Sequence, residues 1–223
     1  MTDSSDGSDL SGLSGLSERD GRDDSGGEGA QLGAKAARRL AATGIYRFEP
    51  GLTDAEFTRI EREHGFEFAD DHRAFLAAGL PVNIPQEEGQ TWSRPWPEWR
   101  DGDPDELRAQ LARPVEGVLG SVEHGRFWYE DWGPRPPDTA TALEIARLRL
   151  TAAPRMVPVY GHRYLPAGRR TFGHPVLSMW GTDIIHYGLD LYDYIHREFD
   201  EAMGEVDETW NPRATAPFWR DLL

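Results

Sequence analysis

The chain has no cysteine among its 223 residues. That excludes a disulfide framework, thiolate catalysis and every zinc or iron–sulfur site built on thiolates. No apolar run approaches the roughly 18 residues needed to cross a bilayer. The N-terminus lacks the basic start and apolar stretch of a secretory signal, so the expectation is a cytoplasmic protein with no membrane association. Phosphate-cradling glycine loops are missing as well. No G-x-G-x-x-G occurs, Gly161-His162-Arg163 is not a P-loop, and Ser178 does not sit in a G-x-S-x-G elbow. Lysine is nearly absent: Lys35 is the only one among 24 basic residues. Arg, Ala, Gly and Asp dominate instead, which is the codon bias of GC-rich genomes such as those of actinobacteria. The hydrophobic share is 38%, below the roughly 45–50% of ordinary globular chains, a figure that also counts Gly.

What is present is aromatic mass and negative charge. Eight Trp, seven Tyr and nine Phe are ample for a core. The net charge is −15, of which residues 1–30, with eight acids and two bases, supply −6 and the rest of the chain −9. A body this negative repels phosphate backbones, which disfavours nucleic acid, while a basic protein is its natural complement. The same acidity serves solubility alone.

Residues 1–32 are rich in Ser, Gly and Asp and cannot bury enough surface to offset their ordering entropy, so they are expected to be a disordered tail. The domain is expected to run from 33 to 223. An Ala-rich helix over 33–43 is followed by a short strand at 45–48. Thr53 and Glu56 form a capping box that opens a helix ended by Gly65. Asp70 or Asp71 starts a second helix, stopped by Gly79. Residues 80–103, with Trp92, Trp96 and Trp99 among prolines, are expected to be a long packed loop whose indoles plug the core edge in preference to forming a stacking platform. Asp103-Pro104 starts a helix that should stop before Pro114, and 115–132 looks β. Asp138 or Thr139 caps a helix reaching Leu150. MVPVY (156–160), PVLSMW (175–180) and DIIHY (183–187) are short β-like runs. A last helix runs from Asp190 to Met203, and the tail packs back through Phe218, Trp219 and Leu222. Helices and strands are not in strict alternation. The fold class is therefore α+β: one domain with a mostly antiparallel sheet and four to five helices.

Candidate chemistry is sparse. His162, His174 and His186 are spaced too evenly and too far apart for a local metal motif, and neither metal nor cofactor is expected. Glu130-Asp131 and Asp200-Glu201 lie in charge-rich stretches and read as solvated faces; buried carboxylates serving a hydrolase would need shifted pKa values. Segment 155–174 carries Arg155, Arg163, Arg169 and Arg170 with no acid, whereas 183–208 holds nine acids and one base. One reading pairs the two segments with each other. The other makes His162, Arg163, Tyr164, Trp180, Asp183 and Tyr187 a pocket for a small ligand or anion.

The string Gly51-Leu52-Thr53, Glu56, Ile60-Glu61, Gly65-Phe66, Phe68, Asp71-His72-Arg73, Phe75-Leu76 resembles the opening of the SUKH superfamily, which takes in Syd-like proteins and the yeast cell-wall assembly regulators. Phe68-Ala69 stands where that family usually has Leu-Pro, His72 where it has Tyr, and Gly79-Leu80-Pro81 where it has Asn-Gly-Gly. Segments 157–166 and 173–195 are similar to uncharacterised actinobacterial proteins often grouped with it. The resemblance implies an α+β fold and protein–protein recognition without catalysis. Many bacterial members are immunity proteins that neutralise toxins, so a basic toxin is the partner it implies. Oligomeric state does not follow from it.

Overall fold

A computed structural model describes residues 25–83, 95–199 and 216–223. Its elements in chain order are α1 (Ser25–Thr43), β1 (Arg47–Glu49), α2 (Asp54–His64), α3 (Asp70–Ala78), β2 (Leu80–Val82), α4 (Pro104–Glu123), α5 (Thr139–Leu150), β3 (Met156–Tyr160), β4 (Arg163–Pro166), β5 (Val176–Trp180), β6 (Asp183–Gly188) and α6 (Leu191–Phe199). Short 3-10 turns cover Glu130–Trp132 and Trp219–Leu222. The fold is α+β. Strands β1 and β2 form an antiparallel pair, and β3-β4-β5-β6 form an antiparallel four-stranded meander.

Strand alternation sends successive side chains to opposite faces of the meander. Val157, Leu165 and Val176 enter one core with Leu40 of α1, Phe57 and Ile60 of α2, Phe75 of α3, and Tyr194 and Ile195 of α6. Met156, Tyr164, Leu177, Met179 and Ile184 enter the other, with Val118 and Val122 of α4 and Ala142 and Ala146 of α5. The sheet is thus the middle of three layers. Trp96 and Trp99, each 1% exposed, plug the first core. Trp96 lies between Phe75 and Phe199, with ring centroids at 6.4 and 5.7 Å. Trp92 lies outside the described residues. Trp219 closes the second core, its indole donating to the Pro154 carbonyl at 2.6 Å, while Phe218 stacks on Trp132 at 5.9 Å.

Caps fall where local chemistry puts them. The Thr53 hydroxyl accepts from the Glu56 amide, the Glu56 carboxylate accepts from the Thr53 amide, and Gly65 ends α2 at φ +67. The side chains of Asp103 and Asp138 accept from the first turns of α4 and α5.

The structure departs from the sequence reading in five places. Helix α1 starts at Ser25, so 25–32 belongs to the helix and only 1–24 of the expected tail remains, outside the described residues. Two of its glycines, Gly29 and Gly33, are packing positions. A Cβ on Gly33 would stand 1.9 Å from the Asp71 carbonyl oxygen, and one on Gly29 would stand 2.9 Å from the Asp70 Cβ. Helices α1 and α3 meet almost backbone to backbone there. Helix α4 continues through Pro114 to Glu123, so 115–123 is helical and the following turn is 3-10, not β. Proline has no N–H to give the carbonyl four residues back; the Tyr164 hydroxyl donates to that Gln110 carbonyl at 3.0 Å and fills the gap. Strand β2 occupies the start of the expected long loop, and β4 is a strand between two of the predicted ones. The described residues hold six α-helices where four to five were expected. The last helix is described to Phe199, and its expected end at Met203 lies outside the described residues.

Candidate functional site

The six residues singled out from the sequence divide among three environments. Tyr164 belongs to the second core: it is 0% exposed, and burial pushes its phenol up to about 12. It is a structural donor to α4.

Arg163 and Tyr187 form a second group, under α6. The Arg163 guanidinium lies 3.7 Å over the Tyr187 ring. Its Nη1 donates to the Ser178 Oγ at 3.3 Å, and its Nε stands 3.8 Å from the Glu198 Oε2. Burial raises the Glu198 carboxyl and raises Tyr194 well above the ordinary phenol value. Tyr160 shares a 2.8 Å hydroxyl contact with Tyr46, and its phenol too is raised, first by burial and then by that bond. Sequence reasoning missed Glu198, Tyr194 and Tyr160. The signal available was the i,i+4 spacing of Tyr194 and Glu198, which puts both on one helix face. This cluster realises the pairing of the basic segment with the acidic helix: Arg163 faces inward and is committed to protein partners. Arg169 pairs elsewhere, with Glu61 at 2.9 Å and Glu67 at 3.2 Å.

The third group stands at the turn end of the meander. Gly181, at φ +66, takes the first position of the two-residue turn that joins β5 to β6. Register places Trp180 opposite Asp183 and Ser178 opposite Ile185. Trp180 is 63% exposed and Ile185, which the sequence reading passed over, is 51% exposed. His162, on the neighbouring β3–β4 turn, meets Trp180 edge-on with centroids 6.0 Å apart. Burial lowers the His162 pKa, and the charges of Arg163 and Arg113 lower it further. Between this turn and the second half of α4 runs a groove of about 690 Å³. Gly117 lets the helix approach, since a Cβ there would stand 2.8 Å from the Gly181 Cα. The wall carries Arg113, Glu116 and Arg126, with Met179 and Trp180 as its apolar part.

Several ionisable residues of segment 54–73 are engaged internally. Glu56 accepts from the Arg100 Nε at 2.6 Å, and that bond, with the cap at Thr53, holds its carboxyl at about 2. Asp71, 0% exposed, accepts from the Gly173 amide at 2.8 Å. Burial outweighs the backbone donors and pushes it up to about 6. His72 is buried edge-on to Phe68 and held neutral, burial taking it down to about 3. The Arg170 amide donates to Asp70, the Asp70 amide to the Thr171 carbonyl, and the Gly168 amide to the Glu67 carbonyl. Together these contacts strap the β4–β5 loop to the start of α3.

Among the described residues no group of three or more His, Asp or Glu side chains converges as a metal site would require. No helix among them is long and apolar enough to cross a membrane. No known protein family, no curated protein and no solved structure matches the chain.

Proposed function

We propose that this chain is a non-catalytic recognition domain that acts in the cytoplasm and binds another protein through the open edge of its sheet. The observation that carries this reading is β6. It is an outer strand of the meander, with no further strand paired to it among the described residues, and Ile185 at its middle is half exposed. An unpaired edge offers a row of N–H and C=O groups to an incoming strand, and an apolar side chain on it supplies specificity. Charge favours a basic partner. Residues 1–24, 84–94 and 200–215 hold fourteen acids against four bases, a field that steers a positive protein toward the domain. The resemblance of 51–79 to the SUKH superfamily supports the same reading, with an immunity protein bound to a basic toxin as its concrete form. The internal engagement of Glu56, Glu61, Asp71 and His72 also favours it, because these groups are spent on holding the fold together.

The test is photo-crosslinking in the source cell, with the reactive residue at position 185 and, as a control, at the exposed position 62 on α2. The expected result is an adduct to one basic protein from 185 only, diminishing as salt rises. Equal or absent labelling at both positions would overturn the proposal.

A further inference from the structure

The groove between α4 and the β5–β6 turn adjoins the proposed edge, sharing Asp183 of β6 with it, and has chemistry of its own. We infer that it is a binding site for a mononucleotide, with the aromatic base lying on Trp180 and the phosphate held by Arg113.

Size is the first argument. At about 690 Å³ the groove falls within the roughly 300–1,000 Å³ of small-molecule sites. The second is Trp180. A 63% exposed indole is an expensive surface to leave in water, yet this one is fixed by its strand register and by the His162 ring beside it. A rigid, exposed aromatic face accepts a planar ring, and such stacking is worth roughly 1–3 kcal/mol per base.

The third argument is the state of the charges. Arg73, Arg100, Arg163, Arg169 and Arg197 each face a carboxylate within 4 Å or less. Arg113 has no such ion pair among the described residues. It lies beside the Tyr164 phenol and close enough to His162 to depress that imidazole. An exposed guanidinium on the groove wall, with no carboxylate partner among the described residues, is suited to bidentate contact with phosphate. Asp183, opposite Trp180 and also without an ion pair among the described residues, is placed to accept from a ring N–H or a ribose hydroxyl. Gly120, with nothing within 4 Å of a would-be Cβ, leaves the helix wall open for a ligand to approach.

The same charges set the size of the anion. Glu116 and Asp183 also line the groove. A nucleic-acid strand would have to carry successive phosphates past both carboxylates, whereas a single nucleotide needs only the phosphate that Arg113 receives.

Isothermal titration of the full chain with AMP, adenosine and pyrophosphate tests the site. AMP is expected to bind, with adenosine and pyrophosphate each at least about tenfold weaker. Trp180→Ala and Arg113→Gln are each expected to weaken AMP by about tenfold or more with the melting temperature unchanged, while Ile185→Lys leaves AMP binding as it was. Three results would overturn the assignment: no heat with millimolar AMP, AMP binding that survives both groove substitutions, or pyrophosphate binding as tightly as AMP. Because the edge at Ile185 is read out separately by crosslinking, either proposal can fail without the other.

Discussion

The start of α3 and the turn end of the meander carry similar residues and use them in opposite ways. Around α3, acids and bases are buried or half-buried and joined to one another: Glu61 to Arg73 and Arg169, Asp71 to the Gly173 amide, Glu56 to Arg100. At the turn end, Arg113, Glu116 and Asp183 border a groove beside an exposed indole. A buried charge without a partner costs several kcal/mol, so the first region must be wired internally to exist. An exposed charge is solvated and can stay free for a ligand. Recognisable sequence pattern and binding capacity therefore sit in different parts of this molecule. The segment 51–79 holds the fold, and the groove is built from later residues, Arg113 and Glu116 on α4 and Trp180 and Asp183 at the turn.

Glycine substitution should break the comparison most severely. Gly33→Ala places a Cβ where the Asp71 carbonyl already stands, 1.9 Å away, and is expected to cost about 4 kcal/mol, read as a fall in the urea midpoint. The pH dependence comes next. His72 falls from 6.5 to about 3 on folding, so as pH drops below 6.5 the unfolded chain takes a proton the folded one refuses, and stability is lost. Asp71 works the other way. Raised from 3.8 to about 6, it takes its proton first in the folded state, so stability is gained as pH drops from 6 toward 3.8. Replacing His72 with Phe removes the first effect and leaves the second. The variant should therefore gain on the parent by about 3 kcal/mol between pH 7 and pH 4.5, measured by urea titration at both.

Asp71→Ala is expected to cost about 2 kcal/mol, because the buried Gly173 amide loses its acceptor. Hydrogen exchange should show the β4–β5 loop opening with it. The smallest effect has the opposite sign. Gly120→Ala, in a helix interior with nothing within 4 Å, should stabilise by about 1 kcal/mol, read from the melting temperature.

Local signals made the helices legible. The Thr53–Glu56 box, Asp103-Pro104 and Asp138 each fixed a start from within four residues. What was illegible depends on distant partners. Pro114 reads as a helix stop because nothing near it reveals that Tyr164, fifty-four residues beyond Gln110, will satisfy the carbonyl. Gly29 reads as flexible tail because its role is set by α3. The candidate site was legible to the level of a segment. Sequence placed chemistry in 162–187 but could not tell that alternation turns Arg163 inward toward Glu198 and leaves Trp180 outward. Arg113 was hidden for a related reason, since α4 reaches the turn only by continuing past the proline.

Native-state hydrogen exchange on the intact chain tests the division between a fastened and an open region most directly. The Gly173 amide and those of α3 are predicted to exchange only through global unfolding, while the outer-edge amides of β6 exchange orders of magnitude faster. Equal protection of β6 and Gly173 would contradict it.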